Sequence, residues 1–131
     1  MTERRFDGRV AVITGAGRGL GRAYAELLGA KGAKVVVNDI GAAVAGYGSD
    51  TGPAEEVASA IRAAGGEAVA STESVATPEG GRAIIETALD HFGGIDILIH
   101  NAGNVRYGSL EDISHEDFCA VVDVHLMGAF N

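Results

Sequence analysis

The residues best suited to chemistry sit near the start of the chain, in the run Thr14-Gly15-Ala16-Gly17-Arg18-Gly19-Leu20-Gly21. Gly15, Gly19 and Gly21 follow a G-x-x-x-G-x-G spacing rather than G-x-G-x-x-G. Each answers a different need. Gly15 lets the chain turn sharply off a strand. Gly19 lets backbone N–H groups approach an anion with no Cβ in the way, and Gly21 lets a helix pack closely on the preceding strand. Arg18 and Leu20 share this turn, where the unpaired N–H groups of a first helical turn and the helix dipole favour a phosphate. A tight turn serving only packing is the alternative. Context argues for a nucleotide: the apolar run Val10-Ala11-Val12-Ile13 precedes the turn, and Asp39 stands 18 residues after Gly21, at the end of the next apolar run.

A carboxylate at that place suits the paired hydroxyls of an adenosine ribose, in charge-assisted bonds worth roughly 1.5–3 kcal/mol. A plain loop cap is the other reading of Asp39. Its charge would repel the 2′-phosphate of NADP, so NAD is expected as the cofactor. Arg18 pulls the other way, but Asp39 would meet that phosphate at close range and outweighs it.

Other chemistry competes poorly. His91, His100, His115 and His125 are 9, 15 and 10 residues apart, without the close pair of a helical metal site. Cys119 is the only cysteine, which rules out an internal disulfide, and it is expected to be buried with no base indicated beside it. Glu55-Glu56 and Glu116-Asp117 fall in first helical turns, where acids favour the dipole.

The elements that must hold these groups follow from periodicity. Arg9–Thr14 reads as a buried strand, and Leu20, Tyr24, Leu27 and Leu28 as the apolar face of a helix ended by Gly32. Val35-Val36-Val37 is the next strand, reaching Asn38-Asp39. A glycine-bearing loop runs from Ile40 to Gly52. Pro53 opens a helix with Val57 and Ile61 on one face, stopped by Gly65-Gly66. Glu67–Ser71 is a third strand. Thr77-Pro78 starts a helix whose face is Ile84, Ile85, Ala88, Leu89 and Phe92. Ile95–Ile99 is a fourth strand. Ser114 to Asp117 is a capping box for a last helix carrying Phe118, Val121, Val122 and Leu126. The order β-α-β-α-β-α-β-α predicts an α/β fold, a doubly wound parallel sheet of about four strands and four helices.

Composition agrees. The 131 residues match one domain; 47% are hydrophobic and 5% aromatic, so the core must be aliphatic. Residues 1–34 hold seven basic and three acidic side chains, and residues 35–131 hold three and fifteen, which argues against a nucleic-acid partner. No apolar run is long enough to span a membrane, and residues 1–7 lack the apolar stretch of a signal peptide. A cytoplasmic, soluble protein is expected.

These motifs resemble the short-chain dehydrogenase/reductase family, whose T-G-x-x-x-G-x-G is present as Thr14–Gly21. Its N-N-A-G motif after the fourth strand is matched by His100-Asn101-Ala102-Gly103, with His100 in place of the first Asn and expected to make a structural hydrogen bond. The resemblance covers essentially the whole chain and implies the N-terminal part of a Rossmann fold. It implies that Asn101, Ala102 and Gly103 line the cofactor cleft, that Ile40 adjoins the adenosine beside Asp39, and that Ser74 and Val75 contact adenine. Many members carry Asp where Ser74 stands. Val37–Gly41, Glu73-Ser74-Val75 and Val124-His125-Leu126 look closer to the hydroxyacyl-CoA dehydrogenase domain of peroxisomal multifunctional enzymes and related bacterial dehydrogenases. Many members have an active-site Asn at the position of His125, which makes His125 the one catalytic candidate, a histidine merely packed on its helix being the alternative.

The family's hydride transfer uses a Tyr, a Lys four residues later and a Ser on the preceding strand. Leu28, Thr51 and Glu111 stand four residues after Tyr24, Tyr47 and Tyr107, so none has that Lys. The catalytic segment would follow Asn131. The chain therefore reads as an NAD-binding Rossmann-type domain over 1–131, from an oxidoreductase acting on a secondary alcohol or ketone, or an acyl-CoA-like substrate. The fragment itself is expected to be inactive. A non-catalytic dinucleotide-binding or assembly module is the alternative. In this family the helix from Phe118 to Phe130 often joins a subunit interface, so a homo-oligomer is expected.

Overall fold

A computed structural model describes residues 5–42 and 52–131. Most of the expected loop between Ile40 and Gly52, with Tyr47, lies outside the described residues.

Five-residue strands of small and β-branched side chains form the centre. They are β1 (Val10–Thr14), β2 (Lys34–Asn38) and β3 (Glu67–Ser71), joined by the shorter β4 (Ile97–Ile99). All pair in parallel, in the order β3-β2-β1-β4. Between them run α1 (Gly19–Ala30), α2 (Gly52–Ala63) and α3 (Pro78–Phe92). The fold is thus the expected α/β, Rossmann-like architecture. Strand residues alternate between two buried faces. Ala11, Ile13, Val35 and Val37 meet Ala25 and Leu28 of α1 and Val57 and Ile61 of α2. Val10, Val12 and Val36 meet Ile84 and Ala88 of α3.

Two faces differ from expectation. On α1 the buried residues are Gly21, Ala25, Leu28 and Gly29, whereas Leu20, Tyr24 and Leu27 are exposed. A Cβ on Gly21 would overlap the Gly15 carbonyl oxygen, and one on Gly29 would press on Ile61. The helix lies too close to its neighbours for large side chains, so small residues take the inner face. On α3 the expected Leu89 is also exposed. That helix starts as predicted: the Thr77 hydroxyl accepts from the Gly80 N–H at 3.1 Å, and Pro78 follows it.

The fourth strand is shorter than expected because Asp96 is used otherwise. Its carboxylate accepts the Val10 N–H at 2.8 Å and pairs with Arg9 at 3.0 Å. The last helix, α4 (His115–Val122), passes through a π-helical turn over Asp123–Met127 into α5 (Gly128–Phe130). Ser114 caps it through the Asp117 N–H at 3.0 Å. None of its residues is fully buried, and Phe118 and Leu126 are exposed. No helix among the described residues is long and apolar enough to cross a membrane.

Candidate functional site

The sheet reverses its winding between β1 and β4, and a cleft opens over the carboxyl ends of those strands, where open α/β sheets take ligands. Thr14 and Asn101 tie the two strand ends together. The Thr14 hydroxyl accepts the N–H groups of Asn101 and Ala102, each at 3.1 Å. The Asn101 amide returns bonds to the carbonyls of Thr14 at 3.2 Å and Gly15 at 3.0 Å. The rim of the cleft is therefore fixed by four hydrogen bonds that cross the switch point. His100, the departure from the family motif, sits 3.4 Å from the Thr14 hydroxyl through Nδ1, while its buried Nε2 has no hydrogen-bond partner.

The glycine turn forms the floor. Gly15 has φ +62°, and a Cβ there would stand 2.8 Å from the Ala102 Cα. Gly19 has φ +55°, and a Cβ there would meet nothing within 4 Å at the start of α1. Arg18 extends over the mouth toward the Ala42 carbonyl, 3.4 Å away.

Asp39 stands at the other wall. One carboxylate oxygen accepts the Gly17 N–H at 2.8 Å and the other accepts the Gly41 N–H at 2.7 Å. The two amides fix the plane of the carboxylate, and each oxygen keeps a lone pair for a further donor. Asn38, buried beneath it, donates to Ser71 and to the Glu73 carbonyl, the latter at 2.9 Å. That bond carries the following Ser74-Val75 segment to the cleft. The Ser74 hydroxyl accepts the Ala76 N–H at 3.2 Å, which turns the chain toward α3.

Of the residues singled out in the sequence, Gly15, Arg18, Asp39, Ile40, Ser74, Val75, Asn101, Ala102 and Gly103 line this one cleft. Gly19, Leu20, Gly21 and His125 do not. Gly21 lies under the turn, Leu20 points outward, and His125 sits behind Gly103. Gly17, Asn38 and Asn104 also belong to the site, although the motif spacing does not mark them. A Cβ on Gly17 would come within 2.8 Å of the Asp39 carboxylate and 2.7 Å of Pro53, so that glycine serves the acid as well as the turn. Its signal was present as a third small residue inside the motif. Asn38 and Asn104 each adjoin a residue that was read, but no spacing separates them from ordinary polar residues.

Cys119 is only partly buried, and His115 Nε2 lies 3.4 Å from its sulfur, which corrects the expectation of a buried thiol without a base. Position i, i+4 on one helix brings them together. Among the described residues no tyrosine lines the cleft; Tyr24 and Tyr107 are on the surface.

A parallel sheet with a glycine turn at its switch point and an acid at the end of the neighbouring strand is the arrangement seen in dinucleotide-binding α/β proteins. Residues 9–131 match the short chain dehydrogenase family, and the chain belongs to it. It is 53% identical to the peroxisomal multifunctional enzyme type 2 of Drosophila melanogaster over 126 residues, which are 96% of this chain and 21% of that enzyme. It is 50% identical over 123 residues to a short-chain type dehydrogenase/reductase of Mycobacterium tuberculosis, covering 94% of this chain and 43% of that protein. A crystal structure of a short chain dehydrogenase from Mycobacterium avium superposes with a TM-score of 0.86 at 49% identity, over 95% of this chain and 43% of the other. The chain thus spans less than half the length of these relatives.

Proposed function

We propose that this chain is the cofactor-holding part of an oxidoreductase that moves a hydride between NAD and the carbinol carbon of a secondary alcohol. The observation that carries the reading is the Asp39 carboxylate, pinned by the Gly17 and Gly41 amides at the wall of the cleft. A fixed acid with spare lone pairs suits two ribose hydroxyls and repels a 2′-phosphate, which favours NAD over NADP. The bare backbone at Gly15 and Gly19, at the head of α1, suits the pyrophosphate. Bound there, NAD would supply the hydride acceptor, with Asn101 and Ala102 on the path toward its nicotinamide. The likeness to multifunctional enzymes favours a hydroxyacyl-CoA-like substrate, a cytoplasmic or peroxisomal setting being separable by cell fractionation.

Calorimetric titration of the chain tests this. NAD should bind more tightly than NADP, and Asp39→Ala should weaken NAD by about tenfold or more, the equivalent of a lost charge-assisted bond. Equal affinity for the two cofactors, unchanged by Asp39→Ala, would remove the reading. A second reading is a dinucleotide-binding or assembly module without redox activity, which the apolar side chains of Phe118, Leu126 and Phe130, exposed among the described residues, favour. Alcohol-dependent reduction of NAD by the purified chain would exclude that second reading.

A further inference from the structure

His100 follows β4 directly, at the place where the family motif has its first Asn. Thr14 lies across from it at the end of β1, and its hydroxyl oxygen has two lone pairs and one proton. Both lone pairs are taken, by the N–H groups of Asn101 and Ala102 at 3.1 Å each. The hydroxyl therefore meets His100 only as a donor. Nδ1, 3.4 Å away, is the acceptor, and a neutral ring that accepts there carries its proton on Nε2. The other tautomer would aim an N–H at an oxygen with no lone pair left. The ring is held from behind by α5. A Cβ on Gly128 would stand 3.1 Å from the His100 Cε1 and 2.8 Å from the Val75 Cγ2, so the ring occupies space that a side chain at that position would need. Nε2 is buried at this end. A cavity of about 40 Å³ adjoins the ring, with apolar Val75, Ile84 and Leu98 and polar Thr14 and Asn131 around it. That is room for one water molecule, the acceptor that a buried N–H calls for.

We propose that His100 is a positioning residue locked in its Nε2–H form, which takes the Thr14 hydroxyl proton and so fixes the clasp between β1 and the Asn101-Ala102 wall of the cleft. A hydroxyl with two bonds can still rotate. Only the rotation that keeps both lone pairs on the Asn101 and Ala102 amides preserves the clasp, and a third bond to Nδ1 selects it. His100 itself does not line the cleft and acts through Thr14 alone. The role rests on the reading of the cleft as a dinucleotide site and deepens it by assigning this wall its own support. Asp39 ends β2, and His100 follows β4. Two strand spacings, about 10 Å, separate those strands across the sheet. The adenosine half of the ligand belongs to the Asp39 side, and the clasp serves the other half.

A proton–nitrogen correlation spectrum of the imidazole rings at about pH 8, where imidazoles are neutral, reads the tautomer directly. His100 should show a protonated Nε2 and a bare Nδ1 with no averaging between them. His100→Asn deletes these signals and so assigns them. A proton on Nδ1, or the averaged pair of a freely exchanging ring, would overturn the proposal. Calorimetric titration with NAD and with AMP reads the consequence. His100→Leu leaves the Thr14 hydroxyl without its acceptor. It should weaken NAD by about threefold, the low end for one neutral hydrogen bond because 3.4 Å is long, and leave AMP affinity unchanged. His100→Asn, whose amide oxygen can take the same proton, should bind NAD as the wild type does. NAD affinity untouched by His100→Leu, equal losses for NAD and AMP, or an Asn variant as weak as the Leu variant would each overturn the role. The wild-type spectrum keeps the test open if His100→Leu does not fold. A wild-type chain that binds neither NAD nor AMP would remove the cleft reading itself, and the role of His100 with it. Wild-type binding of both, with the proton on Nδ1, would remove the role of His100 alone.

Discussion

A methyl group added at Gly21 would overlap the Gly15 carbonyl oxygen and crowd the Asn101 amide, whereas one at Gly19 would meet nothing within 4 Å. The two glycines therefore answer to different constraints despite belonging to one motif. Gly21→Ala must move backbone, an overpacking cost of about 1–3 kcal/mol. Gly19→Ala costs only its left-handed φ, about 1–2 kcal/mol, but adds a Cβ at the head of α1, where the proposed function would seat the pyrophosphate. Urea denaturation and NAD titration of both variants should therefore rank them oppositely, Gly21→Ala losing more stability and Gly19→Ala losing more affinity per unit of stability lost. The same ranking on both measurements would contradict that division. Asp39 was legible in the sequence because its distance from the turn is fixed by one helix and one strand. Gly17, which donates to it, was not, since the contact spans 22 residues and no local pattern reports it.

At the scale of elements, Asp96 shows how a single side chain sets where a strand begins. The Val10 N–H bonded to its carboxylate, with Arg9 beside it, holds its carboxyl below the ordinary value of 3.8. A depressed folded-state value means that the bonds add stability above the unfolded value, and that this contribution fades as pH falls through the folded one. Asp96→Asn should be less stable than wild type at neutral pH, and the gap should close on acidification below about 3.8. Urea midpoints of the two proteins along that pH series check this; a gap that stays constant would contradict it. Strand and helix order was readable because buried aliphatic runs and helix-stop glycines alternate along the chain. The α1 face was misread because counting large apolar residues rewards Leu20, Tyr24 and Leu27, while close approach to the sheet selects Gly21 and Ala25. The π-helical turn had no signal in periodicity, and the contact that it makes through His125 reaches Asn104 across 21 residues.

Across the whole molecule, the two sides of the sheet are unequal. β2 and β1 are covered on both faces, while β4 pairs only with β1 among the described residues and exposes 55% of Leu98. Nearby in sequence, α4 and the turns after it expose Phe118, Leu126 and Phe130, the last at 84%. An unpaired strand edge and exposed apolar side chains both favour association with another chain. The opposing term is the formal net charge of −8, which makes two copies repel. Repulsion of that kind is screened by salt, whereas apolar contact is not weakened by it. Sedimentation of the chain should therefore give an average mass above 13.3 kDa that rises with protein concentration, and rises further when ionic strength is increased. A second copy on these apolar surfaces predicts that Leu126→Glu together with Phe130→Glu returns the chain to monomer without changing its NAD affinity, since neither residue lines the cleft. A monomer at every concentration and salt level would mean that charge repulsion outweighs the exposed edge, and the expected homo-oligomer would be lost with it.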